Sequence, residues 1–287
     1  MKKYLSLLAI PSLALALWAC GSDGDNTNDT ATNDTGDTTE TAEDTKIVIG
    51  ASNGLHEIIL KEAAPILEED GIELEIQPYQ DYIMPNQDLD SGDLDANYFQ
   101  HIPYLELEIA DKGYDFVNAG GIHIEPIGIY SQKYKSLDEL PDGATIIISN
   151  SVSDQGRILQ LLEAEGLIKL ADGIDKTAAE LKDIVENPKN LNIDASSAPE
   201  MLVQYYENGE GDAVVINSNF AIDAGINPIK DSIAIEGSES PYVNVIAVRS
   251  EDKDNEAIQK LVEVLRSEPI QEFILEEWGG AVVPVSE

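Results

Sequence analysis

The sequence predicts an α/β fold of two lobes with a ligand cleft between them. Short apolar runs alternate with stretches of helical period from residue 46 onward, which is the pattern of sheets covered by helices. The 287 residues are enough for one large domain or two of ordinary size, and 43% of them are apolar, so hydrophobic cores can form. The strand and helix units fall into two runs, which favours two lobes.

The first run opens with a βαβ unit. KIVIGASNG reads as an apolar strand and a turn, LHEIILKEAAPILEEDG follows with helical period and ends at Gly71, and IELEIQPY alternates as a second strand. DFVNAGGIHIEPIGIY then predicts two strand segments. Ser136 and Glu139 have the spacing of a capping box, ahead of a strand at 144–149 and a helix at 154–165.

The second run follows a less regular helical region. DAVVIN predicts a buried strand that ends at Asn217, and PYVNVIAVRS predicts another strand at 242–248. NEAIQKLVEVLRSE and IQEFILEEW predict two closing helices. This alternation indicates largely parallel sheets, in which ligands bind beyond the carboxyl ends of the strands.

These elements define the two predicted lobes. Lobe 1 comprises residues 46–125 plus 245–287, and lobe 2 comprises residues 126–244. The chain is expected to cross between them near residues 125–128 and again near residues 242–244, and ligand is expected to close the lobes about these crossings.

The first twenty residues have the pattern of a secretory signal. Lys2 and Lys3 precede an apolar run, and the small residue Ala19 precedes Cys20, the only cysteine. LWAC resembles a bacterial lipobox, in which the cysteine becomes the lipidated first residue of the mature chain. We predict a signal peptide at 1–19, lipidation of Cys20 and an extracytoplasmic protein anchored to the cell membrane. An uncleaved anchor with an incidental cysteine is the alternative.

A disordered acidic tether is predicted to follow the lipidated cysteine, over residues 20–45. Residues 21–45 contain eight acidic residues, no basic ones and no aromatic ones, so they cannot form a core. The whole chain has a formal net charge of −38. It lacks the clustered Lys and Arg that nucleic acid or an anionic lipid surface requires, so neither is expected as a partner.

An aromatic cluster lies in DANYFQHIPYL, at residues 95–105, although only 6% of the chain is aromatic. It contains Tyr98, Phe99, His101 and Tyr104. Pro103 fits the first turn of a helix, which places Phe99 and His101 in a loop after the strand DLDAN, where binding residues concentrate. Burial in the core is the alternative for these rings.

Arg157 is predicted in the opening turn of the helix at 154–165. The helix dipole disfavours a cation there by ~0.3–1 kcal/mol, so its placement needs a reason. A ligand carboxylate docked at this turn would meet free N–H groups and a bidentate guanidinium. A salt bridge to one of the many acidic residues is the alternative.

No metal site, cofactor site or catalytic centre is predicted. The spacing of His56, His101 and His123 matches no pattern of metal ligands, and the sequence contains no nucleophile elbow, phosphate loop or dinucleotide fingerprint. Among 55 acidic residues, no pair stands out as a general acid and base. The chemistry predicted from the sequence is binding and not catalysis.

Several ordered motifs together resemble one known family. They are YIMPN, DLDANYFQHIPYL, GIHIEPIGIYS, ENPKNLNI, DAVVINSNFA, SPYVN and the terminal GGAVVP. With the lipobox, they are similar to the NLPA-type methionine-binding lipoproteins, the substrate-binding components of methionine ABC importers. The resemblance covers residue 46 onward and implies a two-lobed periplasmic-binding-protein fold. L-methionine, a transmembrane permease and its cytoplasmic ATPase are the implied partners.

The resemblance also implies roles for individual residues. It places the side-chain slot of the ligand at four residues: Tyr82, Phe99, His101 and Tyr104. It aims Arg157 at the ligand carboxylate, and it assigns the amides of Asn217 and Asn244 to the amino and carboxylate groups of the ligand. Aromatic rings suit a polarizable thioether, at ~0.3–1.5 kcal/mol for each contact.

The chain departs from the family pattern in two places. NSVSDQGR lacks the proline of the usual motif and has Asp154 where asparagine is common, and residues 194–206 lack the usual Gln-Leu-Pro-Arg stretch. Asp154 would either repel the ligand carboxylate or reach its ammonium group. The alternative ligands are a methionine derivative, a short peptide that contains methionine or another apolar amino acid. An adhesin or assembly lipoprotein is a more distant alternative.

Overall fold

The chain folds into two mixed β-sheets that are covered by helices, and a third, small sheet pairs two short strands. The computed structural model describes residues 45–237 and 239–285. The predicted signal peptide, Cys20 and all but the last residue of the predicted tether lie outside these residues. None of the described helices is long and apolar enough to cross a membrane.

The strands are distributed over the whole described range. They are β1 (Thr45–Ser52), β2 (Ile72–Tyr79), β3 (Ala96–His101), β4 (Phe116–Ile124), β5 (Gly128–Tyr130), β6 (Thr145–Ser149), β7 (Lys169–Leu170), β8 (Ile184–Glu186), β9 (Asn192–Ser197), β10 (Ala213–Ile216), β11 (Ser232–Ile235), β12 (Val243–Arg249) and β13 (Val283–Pro284).

The α-helices alternate with these strands. They are α1 (Leu55–Glu69), α2 (Met84–Ser91), α3 (Ile102–Lys112), α4 (Val152–Ala164), α5 (Leu202–Glu207), α6 (Ser218–Asp223), α7 (Pro228–Asp231), α8 (Glu256–Leu265) and α9 (Glu268–Trp278).

The first sheet has the strand order β13-β4-β12-β3-β1-β2, and the second has the order β11-β5-β10-β6-β9. The α/β class is therefore as predicted, but the expectation of largely parallel sheets is wrong. Pairs linked by a helix on the sheet are parallel, such as β1 with β2 and β1 with β3. The strands β4, β5 and β12 adjoin short crossings between the sheets, and β12 lies antiparallel to both β3 and β4.

The predicted βαβ unit at the start is confirmed. Helix α1 buries Leu55, Ile59, Ala63 and Leu67, which recur at helical spacing, in the same hydrophobic cluster as Ile49 of β1. A second cluster lies around the second sheet and α4. Each of the two mixed sheets thus has a hydrophobic core of its own.

The predicted loop at Phe99–His101 is wrong, because these residues belong to strand β3. The strand pairs with β1 on one side and β12 on the other, and all six of its residues are buried. A strand buried on both faces shows no alternation of apolar and polar residues, so its pattern is hidden. Pro103 does lie in the first turn of α3, as expected.

Three smaller expectations also differ from the structure. Helix α4 begins at Val152, two residues early, so Arg157 lies in its second turn. No capping box forms at Ser136, because the Glu139 carboxylate accepts from the backbone N–H of Lys135 at 2.8 Å. The less regular helical region also contains β9, which pairs with β6 as an edge strand of the second sheet.

Candidate functional site

All seven residues expected to bind a ligand line one pocket between the two sheets. Its empty volume is about 410 Å³, solvent at the mouth included. The first sheet, helix α3 and the adjoining loops contribute Tyr82, Phe99, Gln100, His101, Tyr104, Glu125 and Asn244, and the helices of the second sheet and their N-caps contribute Asp154, Arg157, Asn217, Ser218 and Asn219.

Three aromatic rings form one wall of the pocket. The ring centroids of Tyr82, Phe99 and Tyr104 are 6.0–6.3 Å apart in all three pairings. The Tyr104 hydroxyl donates to the Tyr82 carbonyl at 2.8 Å, and the Tyr82 hydroxyl donates to Asn219 Oδ1 at 2.7 Å. Hydrogen bonds therefore hold two of the rings in place. We call these three rings the aromatic wall.

Asp154 connects His101 with Asn217. Its Oδ1 lies 3.2 Å from His101 Nε2, and its Oδ2 lies 3.1 Å from Asn217 Nδ2. Burial raises the pKa of Asp154, but the hydrogen bond from His101, together with Arg157 and Asn217, holds it below its ordinary value. A carboxylate only accepts hydrogen bonds, so the Asn217 amide must direct its nitrogen to Asp154 and its oxygen elsewhere.

Arg157 is buried, with 4% of its surface exposed. Its guanidinium pairs with the Glu236 carboxylate, donates to the Glu125 carbonyl at 2.8 Å and lies 4.5 Å from the centroid of the Tyr242 ring. The salt bridge that the sequence left as an alternative is therefore present. It does not remove Arg157 from the pocket, because the same side chain lines it.

Glu125 is surrounded by donors that the spacing of the histidines did not reveal. Its Oε1 lies 2.9 Å from His123 Nε2 and 3.2 Å from His56 Nε2, and its Oε2 accepts from the backbone N–H of Asn219 at 3.1 Å. Burial raises its pKa, but His56, His123 and Arg157 lower it to about 2. Glu125 is therefore an ionised carboxylate at the pocket.

Two histidines and Glu125 also have the composition of a metal site. Ligand atoms of His56, His123 and Glu125 all lie within 4.8 Å of one another. The ring proton on His123 Nε2 faces Glu125 Oε1 at 2.9 Å, and the Tyr98 hydroxyl bonds His123 Nδ1. His56 Nε2 hydrogen-bonds Asn244 Oδ1 at 3.4 Å and lies 3.2 Å from the Glu125 carboxylate. A metal ion would have to replace these hydrogen bonds, so the geometry fits a hydrogen-bond network better than a metal centre.

Three buried polar atoms of the pocket residues have no hydrogen-bond partner among the described residues. They are Arg157 Nε, Asn217 Oδ1 and Asn219 Nδ2. Two of them are donors and one is an acceptor. An unpaired buried polar atom costs ~1–3 kcal/mol, so such atoms at a pocket point to a ligand that pairs with them.

Sequence reasoning did not assign Gln100, Glu125, Ser218 or Asn219 to the pocket. Each lies inside a motif that carries the family resemblance, but polar residue types alone gave no reason to select them. Asn219 lies two residues after Asn217, on the first turn of α6. Its position just beyond the carboxyl end of the strand DAVVI could have indicated a ligand contact.

Known proteins resemble this chain in sequence and in structure. The NlpA lipoprotein family matches residues 47–286. The methionine-binding lipoprotein MetQ of Bacillus subtilis (strain 168) is 51% identical over 244 residues, 84% of this chain and 89% of that protein. The D-methionine-binding lipoprotein MetQ of Escherichia coli (strain K12) is 37% identical over 283 residues, 98% of each chain.

A solved structure shows the same fold. The nutrient binding protein from Burkholderia cenocepacia, solved with methionine bound, has a TM-score of 0.79 and 41% sequence identity, covering 83% of this chain and 99% of that one. The fold and the family that the sequence predicted are both confirmed. This chain belongs to the NlpA lipoprotein family.

Proposed function

We propose that this protein is the substrate-binding component of an ABC importer and that it captures L-methionine. The observation that carries the proposal is the set of three unpartnered atoms: Arg157 Nε, Asn217 Oδ1 and Asn219 Nδ2. Two donors match a carboxylate, and one acceptor matches an ammonium group. An α-amino acid brings both groups on adjacent atoms, so it complements this end of the pocket.

The charges in the pocket support the same placement of the ligand's carboxylate and ammonium groups. The ionised carboxylates of Glu125 and Asp154 favour the ammonium group of the ligand, while the guanidinium of Arg157 favours its carboxylate. Asp154 also directs the Asn217 oxygen away from itself. Of the two outcomes that the sequence left open for Asp154, contact with the ammonium is the one we propose.

The aromatic wall supports a thioether side chain. Ring faces and edges of Tyr82, Phe99 and Tyr104 contribute ~0.3–1.5 kcal/mol for each contact with sulfur. A relative in which methionine is bound has the same fold. No catalytic step is part of the proposal, because the pocket residues are assigned to binding alone.

Isothermal titration of the purified protein with free amino acids tests the proposal. We expect L-methionine to bind one to one and more tightly than alanine, whose side chain ends before the aromatic wall. Tighter binding of another apolar amino acid, a methionine derivative or a short peptide would select one of the alternative ligands. If no amino acid or peptide released or absorbed heat, an adhesin or assembly lipoprotein would be favoured instead.

We also propose that Cys20 carries the lipid anchor and that the protein acts outside the cytoplasm, beside a permease and its ATPase. The basis is the sequence pattern at residues 1–20 and the lipoprotein names of the relatives. Cys20→Ala is expected to abolish partition into the detergent phase. Equal detergent-phase recovery of the variant and the wild type would contradict the anchor.

A further inference from the structure

The pocket carries more negative than positive charge. Glu125 and Asp154 are ionised, and Arg157 is the one Lys or Arg side chain among the described residues that line the pocket. Arg157 already pairs with a third carboxylate, that of Glu236. Glu236 therefore serves as the counter-ion of the guanidinium, and the charges of Glu125 and Asp154 are not needed for that purpose.

The partners that hydrogen-bond Asp154 do not neutralise it. His101 Nδ1 accepts from the backbone N–H of Tyr104 at 3.2 Å, so the ring carries its proton on Nε2, which faces Asp154. A ring with one proton is neutral, and the Asn217 amide is neutral as well. Asp154 is thus a buried charge, 2% exposed, with hydrogen bonds but no directly bonded cation.

The same charges act on the aromatic wall. Burial raises the pKa of Tyr82 well above its ordinary range, and the charges of Glu125 and Asp154 raise it further, against the smaller lowering by the hydrogen bond to Asn219 and by the charge of Arg157. Burial, Glu108 and Asp154 likewise raise the pKa of Tyr104. The wall therefore lies in a negative electrostatic potential.

Aromatic faces attract cations, most strongly where water is excluded. Phe99 offers only its ring, and the hydroxyl protons of Tyr82 and Tyr104 are already donated to other groups. A primary ammonium, which needs several hydrogen-bond acceptors, is poorly served by such a wall. A cation whose charge is shielded by methyl or methylene groups needs no hydrogen-bond acceptor.

We propose that the pocket prefers an amino acid with one net positive charge, whose side chain ends in a sulfonium or similar onium group against the aromatic wall. This inference rests on the proposed function, because it uses the same pocket and the same contacts to the amino-acid end. A zwitterion leaves the excess of carboxylates unbalanced. An onium amino acid compensates one of them and adds cation–π contact to the dispersion that a thioether already gains.

Competition between two ligands that differ by one methyl group tests the proposal. The full-length protein, freed of retained ligand, is titrated with L-methionine and with S-methyl-L-methionine. We expect S-methyl-L-methionine to bind about tenfold more tightly, which is the range of a desolvated cation–π contact. Raising the salt concentration should change this ratio little, because the charges are buried.

Two variants and one control separate the contributions. Asp154→Asn removes a buried negative charge, and Phe99→Leu removes a ring face but keeps an apolar side chain. Each is expected to bring the two affinities to about the same value. Asp142→Asn removes a negative charge from the exposed surface outside the pocket and should leave the ratio unchanged. Should Asp154→Asn lose its thermal unfolding transition, Phe99→Leu decides alone.

The outcomes distinguish this inference from the function on which it rests. Tight binding of L-methionine with S-methyl-L-methionine bound more weakly would overturn the inference and leave the proposed function standing. An unchanged affinity ratio in the folded Asp154→Asn variant would overturn the role of the Asp154 charge. Binding of neither ligand would overturn both proposals.

Discussion

Arg157 has two roles in the pocket. It pairs with Glu236 and hydrogen-bonds the Glu125 carbonyl, while its unpartnered Nε is available to a ligand carboxylate. The buried ion pair sets the position of the guanidinium before any ligand arrives. Such preorganisation reduces the entropy that binding costs.

Arg157→Ala is expected to weaken binding of every α-amino acid alike, by ~2–5 kcal/mol for methionine, because a buried charge-assisted contact is lost. Titration calorimetry measures this. Arg249→Ala is the matched control: Arg249 also donates to buried carbonyls, those of Leu89 and Leu94, but it does not line the pocket. Equal methionine affinities in the wild type and the Arg157 variant would contradict the site.

His56 predicts a dependence of stability on pH. Burial lowers its pKa to about 4, although Glu125 opposes this shift. The unfolded chain takes up this proton near pH 6.5 and the folded chain only near pH 4. The neutral, buried His56 ring therefore stabilises the folded state above pH 6.5. This stabilisation is lost as the pH falls towards 4, by roughly 3 kcal/mol in all.

Urea denaturation at pH 7 and pH 5 tests this in the wild type and in His56→Gln, which keeps an N–H donor near Glu125. We expect the wild type to lose about 2 kcal/mol more than the variant between these two pH values. The same loss in both proteins would show that His56 does not titrate as its burial requires.

Much of the site could be predicted from single residues, but their pairings could not. The seven predicted residues meet in one pocket, and His101, Tyr104 and Asn217 do so because they lie where a strand ends and a helix begins. Asn244 lies instead at the start of β12. The contacts of Asp154 with His101 and Asn217 join residues 53 and 63 positions apart. Contacts at such separations depend on how the two sheets face each other, which no local pattern encodes.

Helix α4 is the element that presents Asp154 and Arg157 to the pocket. Its position depends on Gly156, where a Cβ atom would lie 2.1 Å from the Thr177 carbonyl oxygen. The helix therefore packs directly on the backbone of the turn at Lys176–Ala178. A methyl group at this position must push the two elements apart.

Gly156→Ala is expected to lower the free energy of unfolding by ~1–3 kcal/mol, since overpacking outweighs the ~1 kcal/mol that alanine gains in a helix. Methionine affinity should fall as well, because Asp154 and Arg157 move with the helix. Urea denaturation and titration measure the two effects. An alanine variant more stable than the wild type would show that helix propensity decides and that the contact is loose.

At the element scale, the strongest periodic segments were predicted best. The βαβ unit and the two closing helices have clear patterns, and each is present as expected. Strand β3 was missed in part because it is buried on both faces. Strand β9 was missed because an edge strand with half-exposed residues has a weak pattern.

At the scale of the whole molecule, two short crossings join the sheets on either side of the pocket. Residues 125–127 connect β4 to β5, and residues 236–242 connect β11 to β12. The division into two lobes that hinge about these crossings remains our proposal. Arg157 and Asn217 are less than one tenth exposed, which supports the proposal that the sides of the pocket separate to admit a ligand.

Small-angle scattering is expected to show this separation. Saturating methionine should reduce the radius of gyration of the ligand-free protein, because closure covers the pocket. The Asp142→Asn variant serves as a surface control and should behave as the wild type does. Identical scattering with and without a ligand that calorimetry shows to bind would contradict the hinge.

Native mass spectrometry of the protein with L-methionine shows whether this pocket binds the amino acid, because it counts the ligands that each chain holds. We expect one bound methionine per chain in the wild type and in the Arg249→Ala control, and an empty Arg157→Ala variant under the same conditions. A wild-type protein that stays empty, or one that holds methionine equally well without Arg157, would contradict the claim that this pocket binds the amino acid.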